Sequence, residues 1–294
     1  MATPTLNIIG AGKLGRTLGR LWTQHRVFAV QDVLTAHAAS ATAAVEFIGA
    51  GRAAQSLAGM RAADVWMLTP PDGRIVACCE ALFASGRLRA ADIVFHCSGS
   101  QPAGELAAAR AAGAHVASVH PVMSMADPAH AAQAFAGTWC GAEGDAAALT
   151  VLKPAFEAAG AKLFDIDPQL KTIYHAASVI ACNYLVALLE TGAHCYQKAG
   201  LERHTALQVM EPLVRETLDN VFRLGTAGAL TGPIARGDHA VVAHQLEVLA
   251  QWEPRIAAIY RDLGRAALEL ARAQGKVDAD VLAAIERTLA GKNQ

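Results

Sequence analysis

The run Ile8-Ile9-Gly10-Ala11-Gly12-Lys13-Leu14-Gly15 sets a GxGxxG pattern between a short apolar segment and a stretch with apolar residues at helical spacing, Leu18, Leu21 and Trp22. The order strand, glycine loop, helix leaves few folds open, because each glycine has a separate geometric duty. Gly10 permits a tight turn, Gly12 lets a pyrophosphate approach the backbone, and Gly15 lets the helix pack on the strand. The helix N-terminus then faces the phosphates, with Ala11, Lys13 and Leu14 completing the loop. A ribose-reading residue is expected about 20 residues further on. Asp32 is near that place, but Val33 and Leu34 follow it, so the strand is expected to run on to Thr35. In that register Thr35, Ala36 and His37 flank the ribose, with no arginine in the segment. Asp32 is then either the ribose ligand of an NAD site or a solvent-facing strand residue.

Short apolar runs alternate with alanine-rich amphipathic stretches up to about residue 166, the pattern of strands joined by crossover helices in a parallel sheet. Strands are predicted near 6–9, 27–33, 45–48, 64–69, 92–96, 115–119, 138–141 and 162–166. Beyond Asp167-Pro168 long segments of 3.6 period take over, near 168–199, 203–223, 238–272 and 278–290. The chain therefore reads as α/β: an N-terminal doubly wound Rossmann domain over 1–166 and an all-helical domain over 167–294, expected to carry substrate and dimer contacts. At 294 residues two cores are the natural count.

Hydrophobic residues make up 53% and charged residues 17%, with a net charge of -1 and no basic stripe. That balance argues against nucleic acid and anionic lipid as partners and for a small molecule. No signal segment is visible, so a cytoplasmic location is expected. The run 176–189 is too short for a span of about 20 residues and reads as a buried helix. Six cysteines lack a CxxC pair, so no metal site is expected. The helices near 178–189 and 241–259 hold more apolar residues than one face can hide, which predicts a homodimer.

Further motifs sit at strand ends: Leu68-Thr69-Pro70-Pro71-Asp72, His96-Cys97-Ser98-Gly99 and Ser118-Val119-His120-Pro121-Val122. A fourth, Leu230-Thr231-Gly232-Pro233-Ile234-Ala235-Arg236-Gly237-Asp238, falls in the helical part. With the glycine loop, these resemble the oxidoreductases that join a Rossmann-like domain to a DUF2520 domain. That family is similar in architecture to ketopantoate reductases, 3-hydroxyacid dehydrogenases, pyrroline-5-carboxylate reductases and F420-dependent NADP reductases, and some members are assigned ketopantoate reductase activity. The resemblance implies NADP as cofactor, with NAD as the alternative. Strand ends are where open α/β sheets bind ligands. Thr69 and Pro70 are expected to turn the chain under the cofactor, and His96, Ser98 and His120 to border the nicotinamide or a substrate oxygen. A lone histidine is by default a satisfied core residue, but three polar groups at consecutive strand ends favour a site.

The first long helix carries a second constellation, Lys171, Tyr174, His175, Ser178, Cys182 and Asn183, of which Lys171, His175, Ser178 and Cys182 share one face at 100° per residue, with Asn183 at its flank. A lysine on an apolar face needs a reason. In the similar reductases this helix bears a catalytic lysine with an asparagine four residues later. Lys171 matches the lysine, whereas His175 stands in the asparagine's place, which leaves His175 or Asn183 to orient a carbonyl. Arg236 is expected to bind a carboxylate, or else to pair with Asp238, whose more natural duty is to cap the following helix. The expectation is NAD(P)H-dependent reduction of a small 2-oxo acid, ketopantoate first, with Lys171 as general acid. An imine such as pyrroline-5-carboxylate is the rival substrate, and a dinucleotide-binding regulator without turnover the rival function.

Overall fold

Strand β1 (Thr5–Ile9) is buried on both faces from Leu6 to Ile9 and lies inside a sheet, as continuous burial requires. The structure, a computed structural model, describes residues 2–291. Among them eight strands form one sheet in the order β3-β2-β1-β4-β5-β6-β7-β8. The others are β2 (Ala29–Leu34), β3 (Arg52–Ala53), β4 (Val65–Leu68), β5 (Ile93–His96), β6 (His115–Pro121), β7 (Trp139–Gly144) and β8 (Lys162–Asp165). All neighbours are parallel except β6 and β7, which run antiparallel with Ser118 opposite Glu143 and His120 opposite Gly141. The chain winds outward from β1 in both directions, so the switch point lies between β1 and β4.

Helices cover both faces: α1 (Lys13–Gln24), α2 (Ala38–Ile48), α3 (Ile75–Ala84), α4 (Ala107–Ala111), α5 (Pro128–Gln133) and α6 (Ala146–Ala158). Side-chain alternation splits the core in two. Leu6, Ile8, Met67 and Phe95 meet Leu18, Trp22 and Phe156 on one face, and Ile9, Trp66, Leu68 and Val94 meet Ile75, Leu82 and Leu106 on the other. Trp22 packs edge-on against Phe28 and Phe156 and donates its indole N–H to the Ala155 carbonyl at 2.9 Å.

Contacts divide the described chain after Tyr184 rather than at 166. Helix α7 (Lys171–Ser178) and the π turn Val179–Asn183 thus belong with the sheet, because Lys171 is buried against it. The second unit holds α8 (Tyr184–Lys198), α9 (Arg203–Ala229, broken at Gly225), α10 (Pro233–Arg236), α11 (His239–Trp252), α12 (Pro254–Gln274) and α13 (Ala279–Ala290). Its core gathers Val242, Leu268, Leu282, Ile285 and Leu289.

Several expectations need correction. Residues 45–48 close α2 instead of forming a strand: the alanine run before Val45 and Phe47 favours helix, and Gly49 caps it at φ +80°. The strand at this edge is the two-residue β3. The segment 238–272 is two helices, since Pro254 supplies no N–H and the Glu253 carboxylate caps a new start. The run 176–189 is not buried: Ile180 is 62% and Val186 66% exposed, as is Phe222 of α9 at 86%. By length and composition the continuous helical run Pro168–Lys198 would reach across a membrane, yet its first turn carries Lys171 into the sheet unit.

Asp32 is neither a ribose ligand nor solvent-facing. Its side chain is 0% exposed and accepts from Arg61 N at 2.6 Å, Arg61 Nη2 at 2.9 Å and Arg52 Nε at 3.1 Å. Burial opposes its charge, but the hydrogen bonds and charge of Arg61, with Arg52, outweigh that and hold the carboxyl below its ordinary value. A folded-state pKa below the unfolded one stabilises the protein above about pH 4, and the contribution is lost as pH falls through the folded-state value. Asp32→Asn is therefore expected to lower stability by about 2 kcal/mol at neutral pH and to lose less of its Tm than the parent between about pH 5 and pH 3. Thermal melts across that range check this, and parallel Tm profiles would refute it.

Candidate functional site

Where β1 ends, Gly10 takes φ +88°, and a Cβ there would run into the backbone nitrogen of Pro70. The Thr69 hydroxyl donates to the Gly10 carbonyl at 2.6 Å, and a Cβ on Gly15 would come within 2.6 Å of the same Thr69 oxygen. Gly10, Gly15, Thr69 and Pro70 thus form one close-packed knot. Gly12 differs: a Cβ on it would meet nothing within 4 Å. It opens into a cavity of about 840 Å³ lined on one side by Ala11, Thr69 and Pro70 and on the other by Thr35, Ala36, His37 and Ser40. The cavity also takes in Arg16, from the first turns of α1, and Arg74, from the turn after β4. Neither arginine lies in the segment after β2, where the ribose-reading group is expected from the sequence. The spacing Gly15-Arg16 was the available signal. Arg16 is steadied by the carbonyls of Ala11 at 3.1 Å and Ser40 at 3.3 Å.

A second cavity of about 280 Å³ shares Gly12, Thr69 and Pro70 with the first and adds Lys13, Leu14, Asp72, Cys97 and Ser98. Ser98 donates to the Asp72 carboxylate at 2.7 Å, and Ser100 does so at 3.0 Å, which ties the turn after β4 to the turn after β5. His96 does not reach this cavity. It is fully buried, accepts from Ser98 N at its Nδ1 (3.1 Å) and faces the Pro102 carbonyl with Nε2 (3.2 Å). Burial, the main cause, and the Lys171 charge lower its pKa to about 4. It is a satisfied neutral core histidine and not a substrate ligand, because both nitrogens are engaged by backbone.

Lys171 is also withdrawn. Its side chain is 1% exposed, Nζ donates to Ser118 Oγ at 2.7 Å, and Glu143 Oε1 lies 3.5 Å away. Glu143 in turn accepts from Ala103 N at 2.7 Å. Burial pulls the Lys171 pKa down against the opposing charge of Glu143. Lys171 lines neither cavity at the switch point, so the general acid expected from the resemblance is not brought to a ligand. Glu143, its partner, was invisible in the sequence because β7 offers no motif.

One turn further along α7, Tyr174 and His175 do meet a strand end. His120 Nδ1 and the Tyr174 hydroxyl are 2.8 Å apart, and the His120 and His175 rings meet edge to face at 5.6 Å. Tyr174 fits because Gly141 carries no side chain: a Cβ there would be 3.0 Å from its hydroxyl. Burial first, then electrostatic interaction with His175 and Lys171, lower the His120 pKa to about 4, and burial raises that of Tyr174 to about 12. The His175 Nδ1 is buried with no hydrogen-bond partner. Both imidazoles line a cavity of about 490 Å³ with Val122, Met123, Met125, Ser178, Cys182 and Asn183. The π turn breaks the regular helical phase after Ser178, yet Cys182 and Asn183 still border this space. Tyr174 belongs to the constellation expected on this helix, off the face that carries Lys171.

Arg236 lies in the second unit, where its guanidinium pairs with Asp238 at 2.9 Å. Asp238 occupies the N-cap position of α11 but makes no side-chain cap bond, because its carboxylate serves Arg236.

Residues 2–121 match the Rossmann-like domain, and residues 138–267 match the domain of unknown function DUF2520. No curated protein matches the chain. Protein TM1727 of Thermotoga maritima is similar in structure, at 25% identity and a TM-score of 0.72 over 92% of this chain and 100% of that one. So is the reductive aminase of Aspergillus terreus solved with NADPH and ethyl-5-oxohexanoate, at 17% identity and TM-score 0.60 over 98% and 93%. A pyrroline-5-carboxylate reductase of Coxiella burnetii follows at 15% identity and TM-score 0.58 over 92% and 99%. The fold is that of these proteins, and the two domain matches together take in most of the sequence: the chain joins a Rossmann-like domain to a DUF2520 domain.

Proposed function

We propose that this chain is an oxidoreductase that uses NADP(H), with NAD(H) the weaker alternative, to reduce a small carbonyl compound. The observation that carries the reading is the switch-point cleft, in which Gly12 leaves open the space a pyrophosphate needs while Gly10, Gly15 and Thr69 fix its walls. The residues fit a dinucleotide at both ends. Arg16, His37 and Arg74 suit a 2′-phosphate, and no acid competes there because Asp32 is locked by Arg61 and Arg52. Lys13, Asp72 and Ser98 border the nicotinamide end. A reduced nicotinamide bound there supplies a hydride. The protein's own part is to hold the acceptor beside it in the cavity of His120 and His175 and to stabilise the charge that develops on its heteroatom.

The leading substrate is a 2-oxo acid, ketopantoate first, whose carboxylate would fall to Lys13. An imine is the second reading, favoured because no arginine or lysine lines the His120 cavity among the described residues. A location in the cytoplasm accords with both. We also propose a homodimer, since Val186, Leu213 and Phe222 expose apolar surface in the second unit.

Three outcomes are expected. NADPH absorbance should fall on addition of ketopantoate or of a cyclic imine, and the compound that works identifies the class; tight NADPH binding with no oxidation by either would make the chain a binding protein. Fluorescence titration should give a lower Kd for NADPH than for NADH. Arg74→Ala should narrow that gap by about tenfold, and Gly12→Val should abolish binding of both with an unchanged Tm. Light scattering should report twice the chain mass of 30.6 kDa; a monomer at micromolar concentration would refute the dimer.

A further inference from the structure

Resting on the reductase reading, the His120 cluster supplies what Lys171 cannot. Reduction of a carbonyl leaves an oxygen that must receive a proton, and a group able to give one has to reach the cavity. Lys171 is sealed beneath Ser118 and Glu143. His120 is neutral at ordinary pH, so releasing a proton without gaining another would leave a costly imidazolate. Its two nitrogens, however, face different ways. Nδ1 meets the Tyr174 hydroxyl at 2.8 Å, and the edge with Nε2 lies over Gly99, where a Cβ would be 2.9 Å from it, so the imidazole occupies the space that the missing side chain of residue 99 leaves. His175 shares that space, since the same Cβ would run into its Nδ1. Both rings also line the cavity of about 490 Å³.

We propose that Tyr174 is the proton source for the reduced oxygen and that His120, which lines the cavity, relays the proton to it. The substrate carbon gains the hydride and forms a C–H bond, and the C–O π pair passes to the oxygen. The oxygen bonds the proton leaving His120 Nε2 as His120 Nδ1 bonds the proton leaving the Tyr174 hydroxyl. Water then reprotonates the tyrosinate. The direction is downhill, because even a phenol held near 12 is a stronger acid than an alcohol. Lys171 takes no proton in this scheme. Its charge, close enough to depress the His120 pKa, contributes a positive field in which a developing alkoxide is favoured.

The relay requires that in the resting protein Tyr174 donates to Nδ1 and the His120 proton sits on Nε2. Nitrogen-15 NMR of histidine-labelled protein, without cofactor, reads this directly. The Nε2–H tautomer is expected, with an Nδ1 resonance that shifts in Tyr174→Phe; an Nδ1–H tautomer would overturn the proposal. With a carbonyl substrate, Tyr174→Phe and His120→Gln should each lower kcat by about 100-fold to 1,000-fold, while NADPH Kd changes by less than about 2-fold. A Tyr174→Phe enzyme with near-parental kcat would sink the relay even with the reductase reading intact. Parental protein that binds NADPH but reduces neither ketones nor imines would sink that reading instead, and the tautomer would still stand or fall on its own spectrum.

Discussion

The approach of the β1 and β4 ends at Gly10, Gly15, Thr69 and Pro70 is the contact on which the site depends. Backbone meets backbone there with no room for a methyl group, and the Thr69 hydroxyl closes the gap onto the Gly10 carbonyl. Parallel strands leave a crevice at a switch point whatever their sequence, but its width is set by this knot. Because interiors are close-packed and shift little, a side chain at Gly10 would move the floor of both cavities that meet at Gly12. The sheet's apolar faces then keep the knot in place: β1 and β4 are each flanked by strands and covered by helices on both sides.

A second fixed point is the ammonium of Lys171. Removing one partner of a buried pair costs about 3–5 kcal/mol, and here both partners are more than nine-tenths buried. That penalty pins the first turn of α7 to the antiparallel ladder of β6 and β7. Tyr174 and His175 follow one turn later and so arrive at the level of His120, which lies two residues beyond Ser118 on the same face of β6. Lys171 thereby positions the groups at the cavity without entering it, and its usual link to chemistry in similar reductases is recast as one of register and field.

Much of this was legible from residues alone. The glycine loop, the parallel strand order and the polar strand ends all follow from local patterns with few alternatives. What could not be read depends on pairings between distant residues. Asp32 looks like a ribose ligand until Arg61, 29 positions away, claims it. Lys171 looks catalytic until Glu143, a single acid in an unremarkable strand, lies beside it. Arg16 and Arg74 reach the ribose pocket from elements that a search confined to the end of β2 does not visit. The strand expected at 45–48 failed for a local reason, since the alanines before it carry the helix on to Gly49. Tyr174 stands out with the polar residues of its helix, but its meeting with His120 could not be read, as it requires the absent side chain of Gly141.

The π turn at Val179–Asn183 separates two kinds of constraint along one helix. A π turn is a single residue inserted into an α-helix and absorbed locally, so the residues on either side keep the facing they would have without it. Loss of one residue there would relax the turn to ordinary α-helix and leave the phase of Lys171, Tyr174 and His175 untouched. Loss of one residue between Lys171 and His175 would swing the histidine by about 100° away from Gly99. Length variation among related chains therefore has a tolerated place on this helix, immediately beside the cavity wall formed by Cys182 and Asn183, and the size of that cavity can change by insertion or deletion where the groups at its floor cannot.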